Sequence, residues 1–225
     1  MRIGNHDYNS PEDLPGLVPI FPLSGALLLP RTNLPLNIFE PRYLQMIDSI
    51  IGGTRLIAMI QPTNEPTKAD PKPPLSKVGC LGRLVGFQET GDGCYLITLQ
   101  GVCRFTLGEE HATATPYRVA HLDYDAFRND FTPGLGAAEV DRPTLLNALE
   151  QYLTSNNLEP DWDSIHKADT ESLVNALCVL SPFGAPEKQA LLEAPDLKTR
   201  AATLVAITQM KLTKLPGGEG APTLQ

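Results

Sequence analysis

Ser76 and Lys77 stand side by side where a proline-rich stretch ends. A serine–lysine pair can cleave an acyl bond if the amine is desolvated and within hydrogen-bond reach of the hydroxyl. Neighbours on a strand point to opposite faces, so this adjacency works against a dyad. Ser24-Gly25 lacks the Gly-x-Ser-x-Gly elbow that lifts a nucleophile above a sheet. No Gly-Lys pair occurs, which removes the Walker phosphate loop. Gly79, Gly82 and Gly86 are spaced wrongly for a dinucleotide fingerprint and lie inside a strand-like segment. His6, His111, His121 and His166 are scattered, with no His-Glu-x-x-His run. Cys80, Cys94, Cys103 and Cys178 form no Cys-x-x-Cys pair. Three of them fall in strand-like segments, where a shared three-thiolate site competes with the ordinary reading of reduced core thiols. Glu109-Glu110 and Asp161/Asp163 flank turns or helix starts and read as solvated or capping carboxylates. The sequence predicts no catalytic residue, no metal ligand and no cofactor.

The elements that would carry any site fall into two regimes. Val18–Pro22, Arg55–Ile60, Leu81–Gln88, Cys94–Leu99, Val102–Leu107 and Tyr117–Tyr124 read as short strands. Gly91-Asp92-Gly93 supplies the positive-φ positions of a hairpin turn between the third and fourth of these. Both parities of Cys94–Leu99 are largely apolar, which predicts a strand covered on both sides. One helix interrupts the strands: it opens at Pro41, carries Leu44, Ile47, Ile50 and Ile51 on one face, and stops at Gly52-Gly53. Further on, the apolar spacing turns helical. Leu145, Leu146, Leu149, Tyr152 and Leu153 form one stripe, and Leu173, Val174, Leu177 and Leu180 form another behind Asp169 or Thr170. A short helix follows Pro186, and a last one runs from the cap Asp196 to Leu212. Strands first and helices after predict an α+β fold with segregated layers. The expected division is a flexible segment 1–16, a β-rich part 17–125, a linker 126–142, a helical part 143–212 and a disordered tail 213–225. The proline-rich Gln61–Ser76 stretch reads as a long exposed loop.

At 225 residues with 42% hydrophobic content, the chain can bury a full core, which disfavours disorder and disulfide-held miniproteins. A net charge of −8 disfavours nucleic acid as a partner. The polar, acidic first sixteen residues do not resemble a secretory signal, and no apolar run approaches the roughly 20 residues of a membrane helix. Reduced cysteines and the absence of a signal predict a cytoplasmic protein without a membrane partner.

The most informative segment is Leu17–Tyr43, LVPIFPLSGALLLPRTNLPLNIFEPRY. Its prolines impose an extended, irregular path, and its apolar content exceeds what an exposed loop carries. Glu40 and Arg42, at the helix start, read either as a charge network at a fold-specifying corner or as direct ligand contacts. This segment resembles the opening of the Lon protease N-terminal domain. VGCLGRLVGFQETGDGCYLITLQGVCRF fits the same domain in order and spacing, and Glu187–Leu204, EKQALLEAPDLKTRAATL, resembles the end of its helical part. The resemblance covers roughly residues 17–212.

It implies an α+β fold with a twisted, barrel-like β-domain similar to the pseudouridine-synthase-and-archaeosine-transglycosylase (PUA-like) class, followed by an α-helical bundle. Full-length Lon proteases continue into an ATPase module and a serine–lysine peptidase. The chain ends at Gln225, so the expectation is a standalone, bacterial, substrate-binding-domain protein with neither activity. The implied partner is an unfolded or extended polypeptide, or a protease or other protein partner. In a groove between the two parts, Leu29, Pro30, Leu36 and Phe39 would form an apolar wall, with Arg31 and Asn33 as polar contacts. Each of the six also has an ordinary reading as core or turn. A hydrolase using the same groove and an RNA-binding module are the alternatives. A cleft residue of shifted pKa beside a nucleophile would mark the first, and salt-dependent RNA retention the second.

Overall fold

In the computed structural model, which describes residues 1–64, 72–155 and 161–213, a two-stranded ribbon comes first, β1 (Arg2–Ile3) and β2 (His6–Asp7). It lies in the stretch expected to be a flexible lead-in, yet Ile3 and Tyr8 are fully buried and the Tyr8 hydroxyl accepts from Arg83 Nη1 at 2.8 Å. The main sheet holds β3 (Leu17–Pro22), β4 (Asn33–Ile38), β5 (Leu56–Ile60), β6 (Val78–Glu89), β7 (Tyr95–His111) and β8 (Arg118–Asp123). The helix α1 (Pro41–Ile51) sits between β4 and β5. Then come α2 (Arg142–Ser155), α3 (Trp162–Lys167), α4 (Thr170–Leu180), α5 (Ala185–Glu193) and α6 (Leu197–Thr213). Part of the proline-rich stretch and nearly all of the tail expected to be disordered lie outside the described residues.

The α+β order with a C-terminal helical bundle is observed, but the barrel-like β-domain is not. The strand order is β4-β7-β6-β5-β3-β8, and the two terminal strands, β4 and β8, do not pair with each other. The far end of the long β7 bends across to meet β8 in a short ladder interrupted between Leu107 and Glu110. β4 is left as an edge with one neighbour, so the six-stranded sheet is curled and open rather than closed into a barrel.

Two-sided burial also falls elsewhere than expected. β5 is covered on both faces along its whole length: Leu56, Ala58 and Ile60 face one apolar cluster, while Ile57 and Met59 face the other. In Cys94–Leu99 only Ile97 and Leu99 are buried, and Leu96 is exposed. This half of β7 lies between β4 and β6 toward the edge of the sheet, where nothing layers over Leu96. Val102–Leu107 is the continuation of the same strand, joined through Gln100-Gly101. Gly101 permits a close approach there: a Cβ would stand 2.0 Å from the Leu29 carbonyl oxygen.

Each of the two clusters has a distinct task. One covers one side of the sheet with Val18, Ile20, Leu81, Val102, Phe105 and Leu122. The other joins the opposite side of the sheet to the buried α1 face (Tyr43, Met46, Ile47, Ile50) and to the helical bundle through Leu145, Val174, Cys178, Leu191 and Leu204. Leu180, expected in the α4 stripe, is instead exposed at the helix end, and Cys178 takes the buried position.

Asp161, Asp169 and Asp196 cap helices by accepting from Ser164, Ser172 and Thr199 backbone N–H groups. The Ser172 amide lowers the Asp169 carboxyl below its ordinary pKa. A depressed folded-state pKa gives stability that is present above the unfolded value and lost as pH falls through the folded one. Asp169→Ala should therefore cost about 1 kcal/mol near neutral pH. In urea titrations the gap to the parent should shrink as the solution is acidified through the carboxylate range. A gap independent of pH would refute the capping account.

Candidate functional site

A cavity of about 520 Å³ opens where β4 passes into α1. Local sequence builds one wall of it: Leu36 to Ile38 end the strand, Phe39 and Glu40 form the corner, and Pro41 starts the helix that presents Arg42 and Tyr43. The facing wall comes from far away in the chain. Ile20 pairs with Arg118 in the β3–β8 ladder, which sets Phe21, Pro22 and Leu23 beside Tyr117 and Arg118.

Phe39 is 65% exposed at this cavity, an unusual position for a phenylalanine without a partner surface. Behind it the Phe21 and Tyr43 rings pack with centroids 4.2 Å apart. Burial raises the Tyr43 hydroxyl above its ordinary pKa, so it stays protonated at neutral pH. Arg42 lies over the Tyr43 ring at 4.6 Å and donates from Nε to Glu40 Oε2 at 2.9 Å. Arg118 donates from Nε to Glu110 at 2.9 Å and from Nη1 to the Pro73 carbonyl at 2.8 Å. The Arg118 guanidinium holds the Glu110 carboxyl below its usual range. This is a half-apolar pocket with fixed charges at its rim, suited to holding a side chain.

The six sequence-predicted residues do not share one groove. Leu36 and Phe39 line the cavity just described. Pro30, Arg31 and Asn33 line a smaller cavity of about 270 Å³ against α4, together with Glu171, Asn175 and Val179. Pro30 and Arg31 also border a space of about 290 Å³ beside Arg104, Asp130 and Arg200. Leu29 is fully buried. Arg31, at φ 68°, is engaged within the fold: its Nε donates to Glu171 at 3.0 Å and its Nη1 to the Asp130 carbonyl. Sequence reasoning missed Phe21, Tyr117 and Arg118, whose proximity depends on strand register and leaves no local pattern.

The Cys80, Cys103 and Cys178 thiols are buried, and burial pushes each up, Cys178 to about 12, which keeps them protonated. Among the described residues no cluster of three or more His, Cys, Asp or Glu is placed to hold a metal. Likewise, no helix among them is long and apolar enough to cross a membrane.

Comparison with known proteins agrees with this picture. Residues 17–209 match the family model described as the ATP-dependent protease La (LON) substrate-binding domain. A Lon protease of Flavobacterium johnsoniae is 26% identical over 91% of this chain and 25% of its own length. Lon protease 2 of Sorangium cellulosum is 26% identical over 88% of this chain and 25% of its own. The chain thus spans about a quarter of the length of these relatives. Among solved structures, a Lon N-terminal domain protein from Xanthomonas campestris superposes with a TM-score of 0.54 at 21% identity, covering 84% of this chain and 97% of that one. The N-terminal domain of a Mycobacterium avium complex Lon protease superposes with a TM-score of 0.59 at 14% identity, covering 86% and 98%. These two show the shared fold. The matched region is a substrate-binding domain rather than an ATPase or peptidase domain, and the chain belongs to the Lon substrate-binding domain family.

Proposed function

We propose that this non-catalytic binding module holds an unfolded or extended polypeptide in the cavity between β4, α1 and the β3–β8 ladder. The observation that carries the reading is Phe39, a large apolar side chain left exposed at a cavity walled by Leu36, Phe21 and Tyr43. A cavity of this kind rewards an apolar side chain from any sequence, as a binder of unfolded chains requires. Pro30, Arg31 and Asn33 would act beside α4 as a secondary contact, with Leu29 supporting them from the core. The buried, protonated thiols suit a reducing compartment, and we place the protein in the cytoplasm.

Phe39→Ser tests the reading. Because the side chain is exposed, unfolding stability should change by no more than about 0.5 kcal/mol. The Kd for a labelled, permanently unfolded polypeptide, followed by fluorescence anisotropy with the substrate checked on a gel, should rise about tenfold. Loss of folding, or unchanged affinity in a folded variant, would remove Phe39 from the binding surface.

A further inference from the structure

The cavity has a charge bias opposite to that of the whole chain. The protein carries −8, yet the described residues of the cavity wall bring Arg42, Lys72 and Arg118 together with Glu40, and only one further carboxylate, Glu110, reaches Arg118 from outside the wall. Arg118 is engaged by Glu110 and is 14% exposed. Arg42 differs. It uses Nε and Nη2 on the same Glu40 oxygen and remains 39% exposed, so part of its five-donor fork faces solvent beside Phe39. At physiological salt the field of the distant acidic residues is screened within about 8 Å, so the local cations dominate what the cavity meets.

Backbone geometry adds a second feature. Gly101 N donates to the Thr32 carbonyl at 2.9 Å. The unbroken register from Asn33↔Gln100 to Ile38↔Tyr95 then turns the main-chain groups of Asn33, Pro35 and Asn37 away from β7. Among the described residues β4 has no second neighbour in the sheet. Pro35 has no N–H to offer, which confines added pairing to the ends of the edge, and the Asn37 end borders the cavity.

We propose that the cavity selects an extended acidic–apolar segment: one that pairs with the β4 edge at Asn37, sets an apolar side chain against Phe39 and places an aspartate or glutamate against Arg42. This rests on the polypeptide-binding reading above and names the class of segment. Strand addition supplies sequence-independent hydrogen bonds, and the two side-chain contacts supply the preference.

The test uses the full chain and two fluorescent peptides of equal length, each with one phenylalanine in a glycine–serine background. Aspartates flank it in one peptide and lysines in the other. The aspartate peptide should bind about three- to fivefold tighter at physiological salt, the scale of a partly exposed ion pair. Arg42→Gln should bring that ratio to unity, and Phe39→Ser should weaken both peptides. N-methylation of alternate amides in the aspartate peptide should weaken binding at least about threefold in one register and not the other. Equal affinities for the two parent peptides, with both still lost in Phe39→Ser, would overturn charge selection while leaving polypeptide binding intact. Equal binding of the two N-methylated forms would overturn strand pairing. Indifference of both peptides to Phe39→Ser would overturn the cavity reading, and the selection with it.

Discussion

Arg104→Ala should destabilise the protein by about 3–5 kcal/mol, the scale found when one partner of a buried ion pair is removed. Arg104 is 3% exposed and makes a forked contact with Asp130, with Nε to Oδ2 at 2.9 Å and Nη2 to Oδ1 at 2.8 Å. Its backbone N–H binds the same carboxylate, and Nη1 reaches the Leu192 carbonyl at 3.1 Å. One side chain therefore ties β7 to the helical turn Asp125–Phe131 and to the junction between α5 and α6. Removing it strands a buried carboxylate and several carbonyls. Arg104→Lys should recover little, because a single ammonium cannot reproduce the planar fork. The double substitution Arg104→Met, Asp130→Leu should be less damaging than Arg104→Ala, since it leaves no unpaired charge behind. Urea unfolding followed by circular dichroism measures all three. A loss below about 1 kcal/mol for Arg104→Ala would show that the fork does not hold the two parts together.

The second large effect is expected at Gly101. Its missing Cβ would lie 2.0 Å from Leu29 O, 2.7 Å from Leu29 C and 3.2 Å from Pro30 N. All three are main-chain atoms and none can rotate aside. Gly101→Ala must push the Leu27–Pro30 segment off β7, breaking the bonds from Arg31 N to Gly101 O and from Gly101 N to Thr32 O. We expect a loss of at least about 2–3 kcal/mol, the upper part of the overpacking range. Gly86→Ala is the control: its nearest neighbours, Thr98 Cβ and Oγ1, stand at 3.2 Å, so a shift of a few tenths of an ångström suffices there. Similar denaturation midpoints for the two variants would disprove the close-approach argument. Because Leu29 and Arg31 lead directly into β4, the same substitution should also disturb peptide binding at the far end of that strand.

Local signals were read well where one stretch of chain decides its own structure. Pro41, the spacing of Ile47 and Ile50, and Gly52 were enough for α1, and Gly91 and Gly93 adopt the positive φ the hairpin turn needs. Asp169 caps α4 through the amide three residues on. What could not be read was set by pairing at a distance. Leu36 and Phe39 were visible because they sit in one apolar run, but Tyr117 and Arg118 join them only through the register of β8 on β3. Asp130 looked like one more polar residue between two halves of the chain. Its importance comes from Arg104, and nothing near either residue in sequence announces the other. Closure of the sheet was likewise inaccessible. Strand count and apolarity are compatible with a barrel, and only the pairing shows β4 left as an open edge and the β7–β8 ladder short and interrupted.

The strand order also bears on how the protein is made. β3 lies in the sheet between β5, which runs parallel to it, and β8, which comes last of the eight strands in sequence. During synthesis from the N-terminus, Val18, Ile20 and Phe21 emerge early and must wait for nearly the whole β-rich part before both neighbours exist. Non-local pairing of this kind slows folding and lengthens exposure of apolar chain. This interior strand of the sheet is thus among the first parts of the chain to be made and among the last to be covered.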